Sequence, residues 1–369
     1  MNKLRLLHIP ILIAAIFMGL GFYVKVEAAK APKQVFIFEE ITLSGKSKID
    51  RFMERYKTRL FTFMAKQPET SRQEITDGLI ESVNYGFSSE NFKGNKVLVG
   101  LNKKHPEQPV ILSHLASSFF VLGIHPSIKE DEDRQAYYLR EALNASKGCL
   151  KKQSDHGGCW ISYSASLGTL ALVEGIFSTL SKMKEVNESL HKAFELSQKK
   201  SFPLAPNDVS TKDFSRGALT EFYRLVPDSW IFGMFAGIRG DKEKSWKYGK
   251  GLEVKNIALA NVKARAAICY GAVSENMKLI EEGKKIVAAG LKMEILHPFG
   301  AREYARLKAM HDGMDGVKGE DFDTYEDVSC KEFGNDDESQ LEQKKAEEKT
   351  EEGRGKVSSL ISLPTLLLS

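Results

Sequence analysis

Gly158-Cys159-Trp160-Ile161-Ser162-Tyr163-Ser164-Ala165-Ser166-Leu167-Gly168, then Lys184-Glu185-Val186-Asn187-Glu188-Ser189-Leu190-His191-Lys192-Ala193-Phe194-Glu195-Leu196, is the stretch whose reading decides the fold. The first half belongs to a segment, Gly158 to Val173, in which small and apolar residues mix at helical spacing. The second half belongs to a helix predicted over about Phe177 to Ser197. Val186, Leu190 and Ala193 follow one another there at intervals of four and seven, so they share one helix face. A small-residue helix followed by an amphipathic one is a hairpin that cannot bury its own apolar stripe.

The same alternation recurs on both sides. Upstream, a helix from Pro109 to about Leu122 precedes one at about Asp131 to Lys147. Downstream, Phe214 opens a helix that Pro227 closes, and Gly240-Asp241 opens its partner with Trp246, Tyr248 and Leu252. A further pair spans Asn256 to Tyr270 and Ser274 to Met293. Its Ala260, Ala264 and Ala267 let two helix axes approach closely. An earlier pair, Asp50 to Lys66 and Ser71 to Tyr85, reads as a degenerate unit, with Ser71 and Glu74 in capping-box spacing. A helix at about Gly300 to Met310 is placed to close the array.

The Gly158–Gly168 and Lys184–Leu196 segments, with Arg216-Gly217-Ala218-Leu219 to Pro227 and Gly240-Asp241-Lys242-Glu243-Lys244, resemble the tetratricopeptide-like (TPR-like) helical repeat proteins. The nearest flavours are the TRAP-transporter-associated repeat proteins and the regulators of microtubule dynamics. The resemblance covers roughly residues 110–293. The inner position of the second helix departs from it, with Gln135, Val186 and Lys244 where a small residue is expected, and the interhelix interval is longer than the standard repeat. The resemblance implies an all-α helix-hairpin solenoid. Stacked hairpins usually serve as a binding surface, so the chain is read as a non-catalytic holder of a protein or peptide, with no cofactor expected.

Four regions follow from composition. Residues 1–29 have the layout of a secretory signal: Lys3 and Arg5, an apolar run from Ile9 to Val24, and small residues at Ala28 and Ala31. An uncleaved anchor is the alternative, and it would be the chain's route to a membrane. Residues 30–109 form an N-terminal helical segment that includes an extended Val35–Phe38 run. Residues 110–311 are the repeat domain. Residues 312–369 are expected to be a disordered acidic tail, because 335–356 are nearly all polar. The expected location is periplasmic or secreted. In a eukaryotic secretory pathway, Asn144-Ala145-Ser146 and Asn187-Glu188-Ser189 become glycosylation candidates.

Charge is uneven. The formal net charge is +4 over 369 residues. Residues 320–369 carry fourteen acidic and six basic side chains, net −8, and residues 1–28 carry net +2. The body between them therefore carries +10, which suits an anionic protein partner; surface lysines for solubility are the plainer alternative. Nucleic acid is not expected.

Binding residues are sought among aromatics and arginines: Trp160, Tyr163, Arg216, Tyr223, Trp230 and Phe232. The apolar connector Trp230–Phe235 stands out for a loop. Cys149 and Cys159 straddle a polar turn and can pair, or can stay as buried thiols. Asp155-His156 beside Cys159 offers metal donors, but an ordinary polar turn is the reading kept, with no metal. Ser44-Gly45-Lys46-Ser47 lacks the upstream glycine of a phosphate loop, having Glu40 there. No nucleophile elbow and no His-Glu-x-x-His occurs. Two other functions stay open: a solute-holding accessory subunit of a TRAP-type transport system, and a secreted hydrolase on a helical scaffold.

Overall fold

The computed structural model describes residues 46–128, 131–202, 210–295, 298–317 and 319–330. The signal-like segment, the Val35–Phe38 run, most of the proline loop before Ser210 and the polar stretch 335–356 lie outside them.

The described residues form fourteen α-helices. They are α1 (Lys46–Phe63), α2 (Glu69–Phe87), α3 (Asn91–Lys104), α4 (Pro109–Gly123), α5 (Glu132–Lys152), α6 (Gly157–Val173) and α7 (Ile176–Lys199). Then come α8 (Thr211–Leu225), α9 (Trp230–Ala236), α10 (Lys242–Gly249), α11 (Ile257–Val273), α12 (Met277–Gly290), α13 (Pro298–Met314) and α14 (Phe322–Ser329). A 3-10 turn, Pro126–Ile128, bridges α4 and α5. The chain is all-α over these residues.

Most starts are written locally. The side chains of Asp131, Ser210, Ser229, Asp241, Asn256, Asn276 and Asp321 each accept a backbone N–H of the helix they precede. Each such cap contributes about 1 kcal/mol. The Ser71–Glu74 capping box does not form. α2 starts earlier, at Glu69, with Pro68 before it, so Ser71 falls inside the first turn. Glu74 turns instead to Lys104 and His105, at 2.9 and 2.8 Å.

Packing follows chain order. α4 lies on α5, α5 on α6, α6 on α7, α7 on α8 and α11 on α12. In addition α2, α4, α6, α8, α11 and α13 touch one another in succession. The apolar interior is correspondingly divided. One cluster joins Tyr56, Leu60, Ile75, Leu79, Leu98 and Ile111; a second joins Leu139, Leu167, Met183, Leu190, Leu219 and Phe222; a third joins Ala264, Ile268, Ile280, Val287, Leu307 and Tyr325. Burying each leucine or isoleucine contributes roughly 1.5–3 kcal/mol.

The expected close approach of α11 and α12 is present. Ala260, Ala264 and Ala267 are fully buried, and a side-chain carbon on Gly290 would stand 2.9 Å from Ala260 Cβ. Without these small residues the two axes could not come so near.

The structure adds one helix and corrects two readings. Within the N-terminal helical segment, Asn91–Lys104 forms a helix with no counterpart in the sequence pattern, and its buried residues include Gly94, Asn95, Leu98 and Leu101. Trp230–Phe235 is not a connector but most of α9, closed by Gly237 in the left-handed region at φ 67°. The tail expected from residue 312 does not begin there: α13 runs to Met314, and α14 packs on α11 and α13 with Tyr325 buried. A disulfide between Cys269 and Cys330, Cα atoms 5.0 Å apart, ties the end of α14 to α11. The fully buried Arg224 of α8 donates to the Ser329 carbonyl at 3.0 Å, adding a second tie.

Candidate functional site

Helix α7 is long enough to serve two neighbours, and it has a groove on either side. The first groove lies between α5, α6 and α7, lined by Lys147, Leu150, Trp160, Tyr163, Glu185, Glu188, Ser189 and Lys192. The second lies between α7, α8 and α10, lined by His191, Phe194, Arg216, Tyr223, Lys244, Lys247, Tyr248 and Lys250. Each has a volume of about 510 Å3.

Spacing along α7 produces both. Glu185, Glu188, Ser189 and Lys192 recur at three and four and share one flank; His191 and Phe194 are three apart and share the other. The helix thus presents a charged and polar seam to the first groove and two rings, His191 and Phe194, to the second, while Val186, Leu190 and Ala193 go into the core.

The first groove is charge-balanced. Tyr163 donates its hydroxyl to Glu185, and burial followed by that carboxylate pushes the phenol up to about 12. Trp160 meets Tyr163 edge-on at 6.0 Å and gives its indole N–H to the Ser154 carbonyl. Glu185 and Glu188 face Lys182 and Lys184 at 3.9 and 4.0 Å.

The second groove is cationic, with no carboxylate among its lining residues. The rings of Tyr223 and Tyr248 are parallel, with centroids 6.0 Å apart. His191 sits edge-on to both, and its Nε2 pairs with the Tyr223 hydroxyl at 2.9 Å. Burial holds the His191 ring below its usual range and raises the Tyr223 phenol. Arg216 lies over Phe194 at 5.6 Å and donates to the Gly251 carbonyl. Lys244 lies over the Tyr223 ring at 5.3 Å and reaches Asp241 at 3.5 Å. Lys247 and Lys250 are exposed and form no ion pair among the described residues.

The structure therefore brings Trp160 and Tyr163 together in one groove and Arg216 and Tyr223 together in the next. Trp230 and Phe232 join neither. On α9, Phe232 packs toward the central core cluster, while Trp230 is 67% exposed. His191, Phe194, Lys244, Lys247, Tyr248 and Lys250 were not singled out as site residues. The signal that finds them is the three- and four-residue spacing of Lys244, Lys247 and Tyr248 on α10, facing His191 and Phe194 on α7.

A second polar cluster is buried near the start of α6. Cys149 of α5 and Cys159 of α6 form a disulfide, Cα atoms 6.2 Å apart. His156 is the N-cap of α6, its Nδ1 accepting the Cys159 N–H at 3.3 Å. Its ring lies against Phe202 and Phe63, with centroids 4.5 and 5.9 Å away. Burial, with the neighbouring His114 and Lys200 charges, lowers the imidazole to about 4, so the ring is neutral. Nε2 is buried and has no hydrogen-bond partner. His114 nearby is satisfied by the Tyr56 hydroxyl and the Val110 carbonyl.

Ser127 and His125 meet at 2.8 Å, but they lie two residues apart in one turn, and no carboxylate bonds that ring among the described residues. Of the phosphate-loop candidate, Ser44 and Gly45 lie outside the described residues, and Lys46 and Ser47 open α1. Among those residues, no helix is long and apolar enough to cross a membrane. No family model matches the chain, and none of the curated proteins matches it.

Proposed function

We propose that the chain is an exported, non-catalytic, TPR-like helical repeat protein that holds an acidic peptide or an acidic segment of a partner protein in the groove between α7, α8 and α10. One observation carries this reading. Arg216, Lys244, Lys247, Lys250 and two parallel tyrosine rings line a single groove that contains no carboxylate of its own. Cations set around aromatic faces attract anionic side chains and offer flat surfaces for the peptide between them. The +10 body charge favours encounter with such a partner.

The repeat reading is supported by the order of contacts. α2, α4, α6, α8, α11 and α13 touch in sequence, and each stretch of core is built from helices close in the chain. That is how hairpin units stack in a solenoid. The charge-balanced groove with Trp160 and Tyr163 is the neighbouring unit's surface. An extended peptide crossing α7 would meet both grooves in turn. Export is supported by the leader-like layout of residues 1–29 and by two disulfides, which persist in oxidising compartments.

The test is a titration of the full chain with a fluorescent glutamate-rich peptide and a lysine-rich control of equal length. The acidic peptide binds and the basic one does not. Lys247→Glu with Lys250→Glu lowers the affinity at least about tenfold, with helical content unchanged. Equal binding of both peptides, or indifference to the double reversal, removes the reading.

A further inference from the structure

The buried cluster at the start of α6 has more donor atoms than a disulfide uses. Cys149, His156 and Cys159 each place one ligand atom within 4.8 Å of the other two. In the disulfide the two sulfurs are bonded to each other; once that bond is broken, the three atoms are close enough to surround one tetrahedral soft cation, whose ligands sit about 2.0–2.3 Å from it and so about 3.3–3.8 Å apart. His156 is 1% exposed, and since its Nδ1 accepts the Cys159 N–H, the buried Nε2 of the neutral ring carries the proton and is a donor without an acceptor. Such an orphan in a site walled by Phe63 and Phe202 costs stability, and the other tautomer, which gives up the long Nδ1 cap bond and turns an Nε2 lone pair to a cation, removes it. Cys149 Sγ also stands 3.4 Å from the Pro109 carbonyl, a contact in which only a thiol can donate.

We propose that in its reduced form this chain binds one zinc-like divalent cation through Cys149, His156 and Cys159, so that the metal and the Cys149–Cys159 disulfide are mutually exclusive occupants of the same site. The reaction is balanced with a dithiol as reductant. The sulfur–sulfur bond breaks, the dithiol supplies two electrons and two protons, and it closes to its own disulfide. The cation then displaces the two thiol protons and binds both thiolates and one imidazole nitrogen, leaving the fourth position to water. Cys269 and Cys330 are a built-in control, since they form a disulfide but belong to no such cluster among the described residues.

Cobalt(II) is the probe. The full chain is reduced, freed of reductant without oxygen, and titrated. The expected result is one cobalt per chain with a thiolate-to-cobalt charge-transfer band, and no band in the oxidised chain. Cys149→Ser abolishes the band, and His156→Gln weakens binding about tenfold or more. Zinc added to the reduced wild-type chain slows alkylation of Cys149 and Cys159 but not of Cys269 and Cys330, a readout that needs no variant to fold. The proposal is overturned by a reduced chain without the band, by zinc that protects all four cysteines equally or none, or by His156→Gln that folds and binds as wild type. A reduced chain that loses its helical signal and does not regain it with metal overturns it as well.

Discussion

Tyr223 of α8 and Tyr248 of α10 hold their rings 2° from parallel, with centroids 6.0 Å apart, and this pair joins the two walls of the cationic groove. Tyr223 is 4% exposed and hydrogen-bonded to His191; Tyr248 is half-buried and carries Phe194 edge-on at 5.6 Å. Tyr248→Leu keeps the apolar body and removes the aromatic face. Affinity for the acidic peptide should fall about tenfold, and stability by about 1 kcal/mol, read by peptide titration and urea unfolding.

Acid should strengthen binding. Burial keeps the His191 ring below its ordinary value of 6.5, so it is neutral at pH 7. Its contribution to folding is present above that ordinary value and is lost as pH falls through the folded-state value. Protonation adds a cation to the groove, worth roughly 0.7 kcal/mol toward an anion ~6 Å away in water, or about threefold in affinity. Wild-type affinity should rise by up to that factor as the pH falls from about 7.5 through the lowered folded-state value. In His191→Gln the rise should vanish.

The C-terminal tie is energetic. The Cys269–Cys330 disulfide closes a loop of 61 residues, which the chain-entropy account values at about 4 kcal/mol. Cys330→Ser should lower unfolding stability by that order. In hydrogen exchange α14 should open before α8 does.

Arg224 tests the same junction from inside. It is fully buried, pairs with Glu221 and donates to Ser329. Burial alone would raise the Glu221 carboxyl, but Arg224, then Arg265 and Arg306, hold it below the usual range. Arg224→Met leaves that carboxylate short of its main partner. A loss of about 3 kcal/mol is expected, more than a leucine-sized void would explain at an exposed site.

Gly283 of α12 faces α11. A Cβ there would run into Ile268 and stand 3.1 Å from the Ala264 carbonyl. Gly283→Ala should cost roughly 1–3 kcal/mol through overpacking, although alanine is the better helix former. A neutral or stabilising result would mean the two helices are not so close.

The helix pattern was legible because apolar spacing carries it. Val186, Leu190 and Ala193 announce α7, and Ala260, Ala264 and Ala267 announce a close helix pair. Asn91–Lys104 escaped because its buried positions include Gly94 and Asn95, which do not read as a stripe. α9 escaped because seven residues are too few to show a helical period. Of the expected site residues, Trp160, Tyr163, Arg216 and Tyr223 do line grooves. Their grouping into two separate grooves depends on which helices become neighbours, and no local spacing encodes that. The lysines of the cationic groove looked like solvated surface until α10 was set beside α7.

Lysine footprinting with and without the glutamate-rich peptide tests the central claim most directly. Acetylation rates of Lys244, Lys247 and Lys250 should fall at least about threefold when the peptide is saturating, while Lys57 and Lys103, far from α10 in the chain, keep their rates. Unchanged rates at all three groove lysines, or uniform protection of lysines throughout the chain, would contradict the account.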